Sequence, residues 1–575
     1  MKLSNIFLSA IALGSLASCS GFLDDMPDTR VELKNTEHAR LLMNAAYPRA
    51  NYGWIGEVMS DNLLDNNAPD PDNNNIRYNL NAYDRGDEEM YRWEVNKSNT
   101  DSDSPSSVWQ NYWLSIAAAN ECIQLLEKLQ AEQGGQMSDD QKAIYGEALV
   151  LRAYCHFTLA QIFCMPYRGP ELSKNELGLP YMEKPETMVK PHYDRGDMQT
   201  LYEKIEADML KGLPLINNSI FEQPKYHFNK SAAAAFAVRY YQITRNYPKV
   251  LEYANLAFGG AEVDASLYVS DIWNVEVFEA IDLNEYSQGI TTQRNLMLLA
   301  TNSAACRRIA GNRFGLIRDA LNSTMHSSGP TWTRSRWLSS NGSGSTFYAN
   351  PCFINNGNVY YRGKQEYGFF FPGNCYERFE YTDKVAGIGY AHITRSEFTG
   401  EEVLLARAEA KLFLGDRSGA LADLHIIENS WRNCQTAKAN PDLLDEWTES
   451  RVIDFYSQAP GTGSLVPASI VKEIHIDEVC PSAEYHVTAD ILPVLQCVQH
   501  FRRITMVHTG DRWFEIKRLG LEYDHPYGRD LNYHLDVLDQ RKAGQIPSEV
   551  VSAGFQENPR ATEEAKIAPA SVRVK

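Results

Sequence analysis

Residues 230–260 read KSAAAAFAVRYYQITRNYPKVLEYANLAFGG, and residues 401–431 read EEVLLARAEAKLFLGDRSGALADLHIIENSW. In each, a helix rich in small residues meets a short turn, and an amphipathic helix follows. The first turn is Asn246-Tyr247-Pro248, and Gly259-Gly260 closes its second helix, glycine being the residue that most easily ends one. The second turn is Gly415-Asp416; aligning the two turns sets Val250-Leu251 against Ala420-Leu421. A hairpin of this kind cannot bury its apolar face alone, so several must stack, as in tetratricopeptide arrays. Neither copy carries the full repeat consensus. The predicted fold class is mostly α, a tetratricopeptide-like helical-hairpin scaffold.

Upstream, Trp109, Trp113, Ile116, Ile123 and Leu126 recur at spacings near three and four, and residues 138–163 continue the helical pattern behind Ser138 as N-cap. Trp109, Trp113 and Trp431 lie on that periodicity and are expected in the core. The helical scaffold is placed at about 36–260 and 399–432. Between its two parts, over 261–398, periodicity fades and Gly, Asn, Ser and aromatics rise. In "CFINNGNVYYR" (352–362), Asn356-Gly357 predicts a hairpin turn. A loop-rich, partly β excursion on a rigid helical base is where a ligand-binding face is expected. The C-terminal part, 433–575, begins with a second loop-rich stretch, and 36–575 is read as one domain.

The N-terminus sets the compartment. In "MKLSNIFLSAIALGSLAS" (1–18), Lys2 is followed by an apolar run and then small residues, the layout of a signal peptide. The order Leu16-Ala17-Ser18-Cys19 resembles a bacterial lipobox, in which the cysteine is lipidated and becomes the new N-terminus. Residues 19–35 then read as a polar, acidic tether. No later stretch is long and apolar enough to cross a membrane.

The formal net charge of −19 argues against nucleic acid, which needs a basic face. Nine cysteines remain after Cys19, with no C-x-x-C pair. Cys122, Cys155 and Cys164 fall on helical patterns and read as buried thiols; Cys352 with Cys375 and Cys480 with Cys497 are the candidate bridges. Reaction motifs are missing: no zinc helix, no nucleophile elbow and no phosphate loop. Asp139-Asp140 and Glu401-Glu402 sit at helix starts, where acidic residues favour the helix dipole. Asp70, Asp72 and Asn74 imitate the first half of a calcium loop, but Asn75 and Asn81 replace its glycine and bidentate acid, so an Asx-rich loop is the reading. No catalytic residue, metal or cofactor is assigned.

Five pieces, in this order, resemble the SusD/RagB family: the lipobox followed by "FLDDMP", the helix "GEALVLRAYCHFTLAQIF", the pair "RSEFTGEEVLLARAEAKLFLGDRSGALADL", the basic-aromatic "GDRWFEIKRLG" and the ending "QIPSEVVSAGFQENPR". His508-Thr509-Gly510 departs from the family's usual glutamate-glycine pair, and Asn558-Pro559-Arg560 from its glycine-aromatic ending. The resemblance implies a non-catalytic lipoprotein of the outer membrane, facing outward. Such a protein captures oligosaccharides, or peptides in the RagB branch, for a SusC-like TonB-dependent barrel.

A sugar offers hydroxyls at its rim and C–H groups on its faces, which suits flat aromatics beside Asn, Asp and Arg. Two regions supply that mixture: Trp54, Arg77, Tyr78, Tyr83 and Arg85, and then Trp273, Trp332, Trp337 and Tyr348. In SusD-like proteins loops from these two parts of the chain build the ligand face. A glycoside-processing enzyme would instead need two carboxylates converging among the Trp273–Tyr348 aromatics. A purely scaffolding lipoprotein would be indifferent to the loop tryptophans.

Overall fold

The computed structural model describes residues 33–68, 81–82, 84–97, 101–186, 193–270, 288–309, 313–315, 329–332, 353–355, 370–432, 442, 444–459, 470–528, 531–560 and 567–569. The calls on Cys19 and on the calcium-like loop from Asp70 lie outside them, apart from Asn81.

The first helices, α1 (Thr36–Ala46) and α2 (Gly53–Val58), lead by β1 (Leu64–Asp65) to α3 (Arg85–Tyr91). Two long helices follow, α4 (Pro105–Glu132) and α5 (Asp139–Phe163), then α6 (Met198–Gly212). The Ser138 hydroxyl accepts from the Gln141 amide while the Gln141 side chain accepts from Ser138 N–H, a complete capping box. From Ala143 onward α5 is buried on every side, which its lack of a charged face anticipates. Its one arginine, Arg152, meets Asp208 of α6 in a fork, at 2.6 and 2.9 Å.

The hairpins that open the sequence reading are α7 (Lys230–Ile243) with α8 (Tyr247–Ala257), and α10 (Gly400–Phe413) with α11 (Arg417–Arg432). They stack, α8 against α10, and α10 also packs on α13 (Leu492–Thr505), which carries α12 (Glu449–Tyr456). The mostly helical, tetratricopeptide-like scaffold is what forms. Between the hairpins lie β2 (Asn295–Asn302), α9 (Ala305–Ile309), β3 (Phe314–Gly315), β4 (Phe353–Asn355), β5 (Phe370–Pro372), β6 (Glu377–Asp383) and β7 (Ile388–Thr399). The antiparallel order is β2-β7-β6, and β7 runs straight into α10 through Thr399 as N-cap. After α14 (Arg512–Leu519), a second antiparallel sheet joins β8 (Tyr523–Tyr527), β9 (Leu531–Leu535) and β10 (Ile567–Pro569).

Two local expectations change. Phe353–Asn355 pairs with Phe370–Pro372, and the turn expected at Asn356-Gly357 lies outside the described residues. Cys480 and Cys497 are both buried free thiols, so this pair is not bridged; Cys122, Cys155 and Cys164 are buried thiols as expected. Trp109 and Trp431 are buried, but Trp113 is only half-buried.

A lattice of buried charges holds the two halves together. Arg239 of α7 forks onto Glu402 of α10 at 2.7 and 2.9 Å and reaches Glu397 of β7 at 2.7 Å. Arg518 of α14 forks onto Glu409 of α10 and also meets Glu515. Glu401 and Glu402 stand in the first turn of α10, as expected, and are also buried ion-pair partners, Glu401 taking Arg294 at 2.9 Å.

Candidate functional site

The two regions singled out in the sequence are drawn together by one short strand pair. In β1 and β3, which are antiparallel, Leu64 faces Gly315 and Asp65 faces Phe314, so the residues following Asp65 run beside those preceding Phe314. Asn66 N–H donates to the Arg313 carbonyl at 2.8 Å and extends the pairing.

An arginine fixes this root. The Arg313 guanidinium forks onto both oxygens of Asp65, at 2.9 and 2.8 Å, and reaches Glu88 of α3 at 3.3 Å. Burial works against its charge, but the hydrogen bonds and charge of Asp65 outweigh burial and hold Arg313 above its usual range. Its plane lies 4.5 Å from the centre of the Tyr527 ring. Arg92 sits 5.1 Å from the ring centres of both Tyr527 and Tyr533, and donates to the Tyr533 hydroxyl at 2.8 Å. Tyr527 in turn donates to Glu88. The result is a half-buried alternation of guanidinium and phenol, flat faces bordered by donors and acceptors.

Beside it, Asp84 caps α3 in a reciprocal box with Asp87. Arg308 of α9 gathers Asp84 and Asp87 at 2.7 Å each, with Asp101 also in contact and Asp103 at 3.5 Å. Burial pushes the Asp103 carboxyl up to about 7, against hydrogen bonds from Ser303 and Ala304 that favour the anion.

The sequence-predicted residues divide accordingly. Trp54 is completely buried under this base, its indole donating to Asp87 at 2.8 Å. Arg85 is exposed, its side chain 79% accessible, 3.6 Å from Glu89. Trp332 is 4% exposed and packs on Trp431 and Phe501. With Asp445 N–H donating to the Thr331 carbonyl at 2.8 Å, Trp332 pins the returning excursion to α11 and α13. Arg77, Tyr78, Tyr83, Trp273, Trp337 and Tyr348 lie outside the described residues. Sequence reasoning missed Arg92, Arg313, Tyr527 and Tyr533. For the two tyrosines a signal existed: "YDHPYGRDLNYHL" alternates around Gly528 in the manner of a β-hairpin.

Hydrolytic chemistry would need a carboxylic acid and a carboxylate open to one sugar. At this root Asp65, Asp84, Asp87 and Glu88 are engaged by guanidinium groups. Asp103 has an acid's affinity for protons but is inaccessible, with Ser303 and Ala304 on its two oxygens. Among the described residues, Glu522, His534 and Asp536 lie close enough to share a cation. The two ring nitrogens of His534 already face Asp524 at 2.8 Å and Asp536 at 3.2 Å. Among the described residues no helix is long and apolar enough to cross a membrane.

Residues 21–242 match a family model of SusD-like proteins, described as starch-binding and associating with the outer membrane. Over those residues the chain is similar to SusD-like proteins. A SusD superfamily protein from Bacteroides thetaiotaomicron is 17% identical, with a TM-score of 0.51 over 92% of this chain and 100% of its own. Another from Bacteroides vulgatus is 13% identical, with a TM-score of 0.54 over 92% and 99%. A laminarin binding SusD-like protein is 13% identical, with a TM-score of 0.51 over 92% and 99%. Identities at this level make the likeness one of fold. Among curated proteins, no sequence matches this chain.

Proposed function

We propose that the chain captures oligosaccharides at the outer membrane, without turning them over, and passes them to a SusC-like TonB-dependent barrel. Lipid on Cys19 anchors it, with the single domain 36–575 facing outward on the tether 19–35. One observation carries the binding reading: β1, which leads towards Arg77 and Tyr78, pairs with β3, which leads into the loop-rich stretch that Trp332 ties to α11 and α13 ahead of Trp337 and Tyr348. Beside this strand pair lies a base of Arg313, Tyr527, Arg92 and Tyr533. Arg85 projects from the same base, and Trp54 and Trp332 act by holding the root and the return of the loops. A match to a starch-binding family and a laminarin binding relative favour glycan as the ligand. The engaged carboxylates favour binding over hydrolysis.

Isothermal titration of the chain from residue 20 onward, against fragmented plant, microbial and host glycans, tests this. Saturable heat that disappears in Trp273→Ala or Trp337→Ala is expected. Heat that continues until the sugar is consumed would mean turnover and end the non-catalytic reading. Silence across the panel, followed by saturable heat with peptides, would replace the glycan with a peptide.

A further inference from the structure

We propose that two small polar cavities beside α13 each bind a buried water molecule, which completes the hydrogen bonding of the charge lattice. The first cavity is bordered by Gln499, Arg502, Met506, Asp511, Arg512 and Glu515. The second is bordered by Asn374, Ser396, Glu402, Thr505, Met506 and Asp511. Met506 and Asp511 are common to both, and each has room for about one water.

Space alone would not assign a ligand; the unpaired polar side chains bordering it do. Gln499 is 5% exposed, and no protein group pairs with either its Oε1 or its Nε2. Arg502 is 4% exposed; its Nε lies 3.1 Å from Glu515, yet Nη1 has no acceptor. Thr505 is 6% exposed with its hydroxyl unpaired. These residues stand three apart, one turn after another on α13, and so form a single polar stripe. A buried amide or guanidinium N–H without a partner is strongly unfavourable, and apolar cavities stay dry while polar ones of this size fill.

The donor and acceptor pattern selects water over an anion. Arg502, Arg503 and Arg512 would attract chloride, but Asp511 and Glu515 border the same space. Gln499 leaves a donor and an acceptor unpaired together, and water answers both where chloride answers one. In the second cavity Arg294 and Arg395 are outnumbered by Glu397, Glu402 and Asp511, which disfavour an anion, and a hydroxyl such as that of Thr505 can donate or accept.

The experiment is a crystal structure of the full-length chain at about 1.5 Å, with a second crystal soaked in bromide. Expected are two spherical peaks, one within hydrogen-bonding distance of Gln499 and Arg502, the other of Thr505, neither giving a bromine signal. Empty cavities would overturn the proposal, and so would an anomalous bromine peak in either. Two variants read the same question in solution, Gln499→Met and Thr505→Val. If water is bound, each removes its partners and lowers the melting temperature by a few degrees. A rise would mean that dry, unpaired groups had been removed, and would overturn the proposal.

Discussion

Asp103 shows how burial can leave a pH signature on a single side chain. Its carboxyl is inaccessible and is pushed up to about 7 in the fold, whereas an unfolded aspartate titrates near ~4. The folded state therefore holds the proton more tightly, and stability from this group is full below pH ~4 and is lost as pH rises to about 7. Compared with Asp103→Asn, which does not titrate, the wild type should lose stability across that window at up to ~1.4 kcal/mol per pH unit. Urea melts of both proteins at pH 4.5, 5.5, 6.5 and 7.5 check this; a constant difference would refute it. Trp54 shows what sequence could not reveal at the same scale. In "NYGWIGE" it sits among residues of loop character, yet it is buried because α2 lies directly on the backbone at Gly510. A Cβ on Gly56 would come within 2.2 Å of the Gly510 carbonyl oxygen, and Gly510 itself has φ of +84°. Loop composition says nothing about such an approach between residues so far apart in sequence. Gly56→Ala should destabilise by about 1–3 kcal/mol, since backbone on both sides must move, read as a fall in the urea midpoint.

At the scale of elements, the paired helices were legible because their signals are local: small residues on the first helix, a turn residue at a fixed place, an apolar stripe on the second. The charges joining them were not. In sequence Glu402 reads only as an acidic residue at a helix start and Arg239 has no visible partner, and the stacking of α7 beside α10 is what buries both. The lattice is therefore unreadable without the tertiary structure, even though it fixes how β7, α7 and α10 meet. Its energetics follow from burial. Arg239→Met would take from Glu402 its forked guanidinium and leave Glu397 with that of Arg395, a loss of roughly 3–5 kcal/mol. Arg239→Met combined with Glu402→Gln should recover part of that loss, because one uncompensated anion is removed with its partner. Denaturant midpoints of the two variants decide the matter: equal losses would show that Glu402 was not the group left unpaired.

Across the whole molecule, the sequence separated a helical scaffold from a loop-rich excursion, and named the two stretches whose aromatics and arginines suit a sugar. Their meeting point was hidden, because it is made by two-residue strands 248 positions apart, as Asp65 and Arg313 show in their ion pair. Pairs this short carry no periodicity to read. The binding proposal consequently rests on a joint rather than on any one ring, and the joint can be loosened without touching a proposed ligand contact. In Arg313→Ala the fork onto Asp65 and the contact with Glu88 disappear, while the Leu64–Gly315 pairing and the base tyrosines stay. Because Arg313 is only half-buried, the scaffold should still fold, with its melting temperature within a few degrees of the wild type. The two loops would then leave the scaffold with more freedom, and ordering them on binding would take back part of the interaction energy. Oligosaccharide affinity should fall about tenfold, the equivalent of ~1.4 kcal/mol. Titration and thermal melting of the same samples separate the outcomes. Weaker binding at an unchanged melting temperature supports the joint as the organiser of the face. Unchanged binding would place the ligand away from the β1–β3 root.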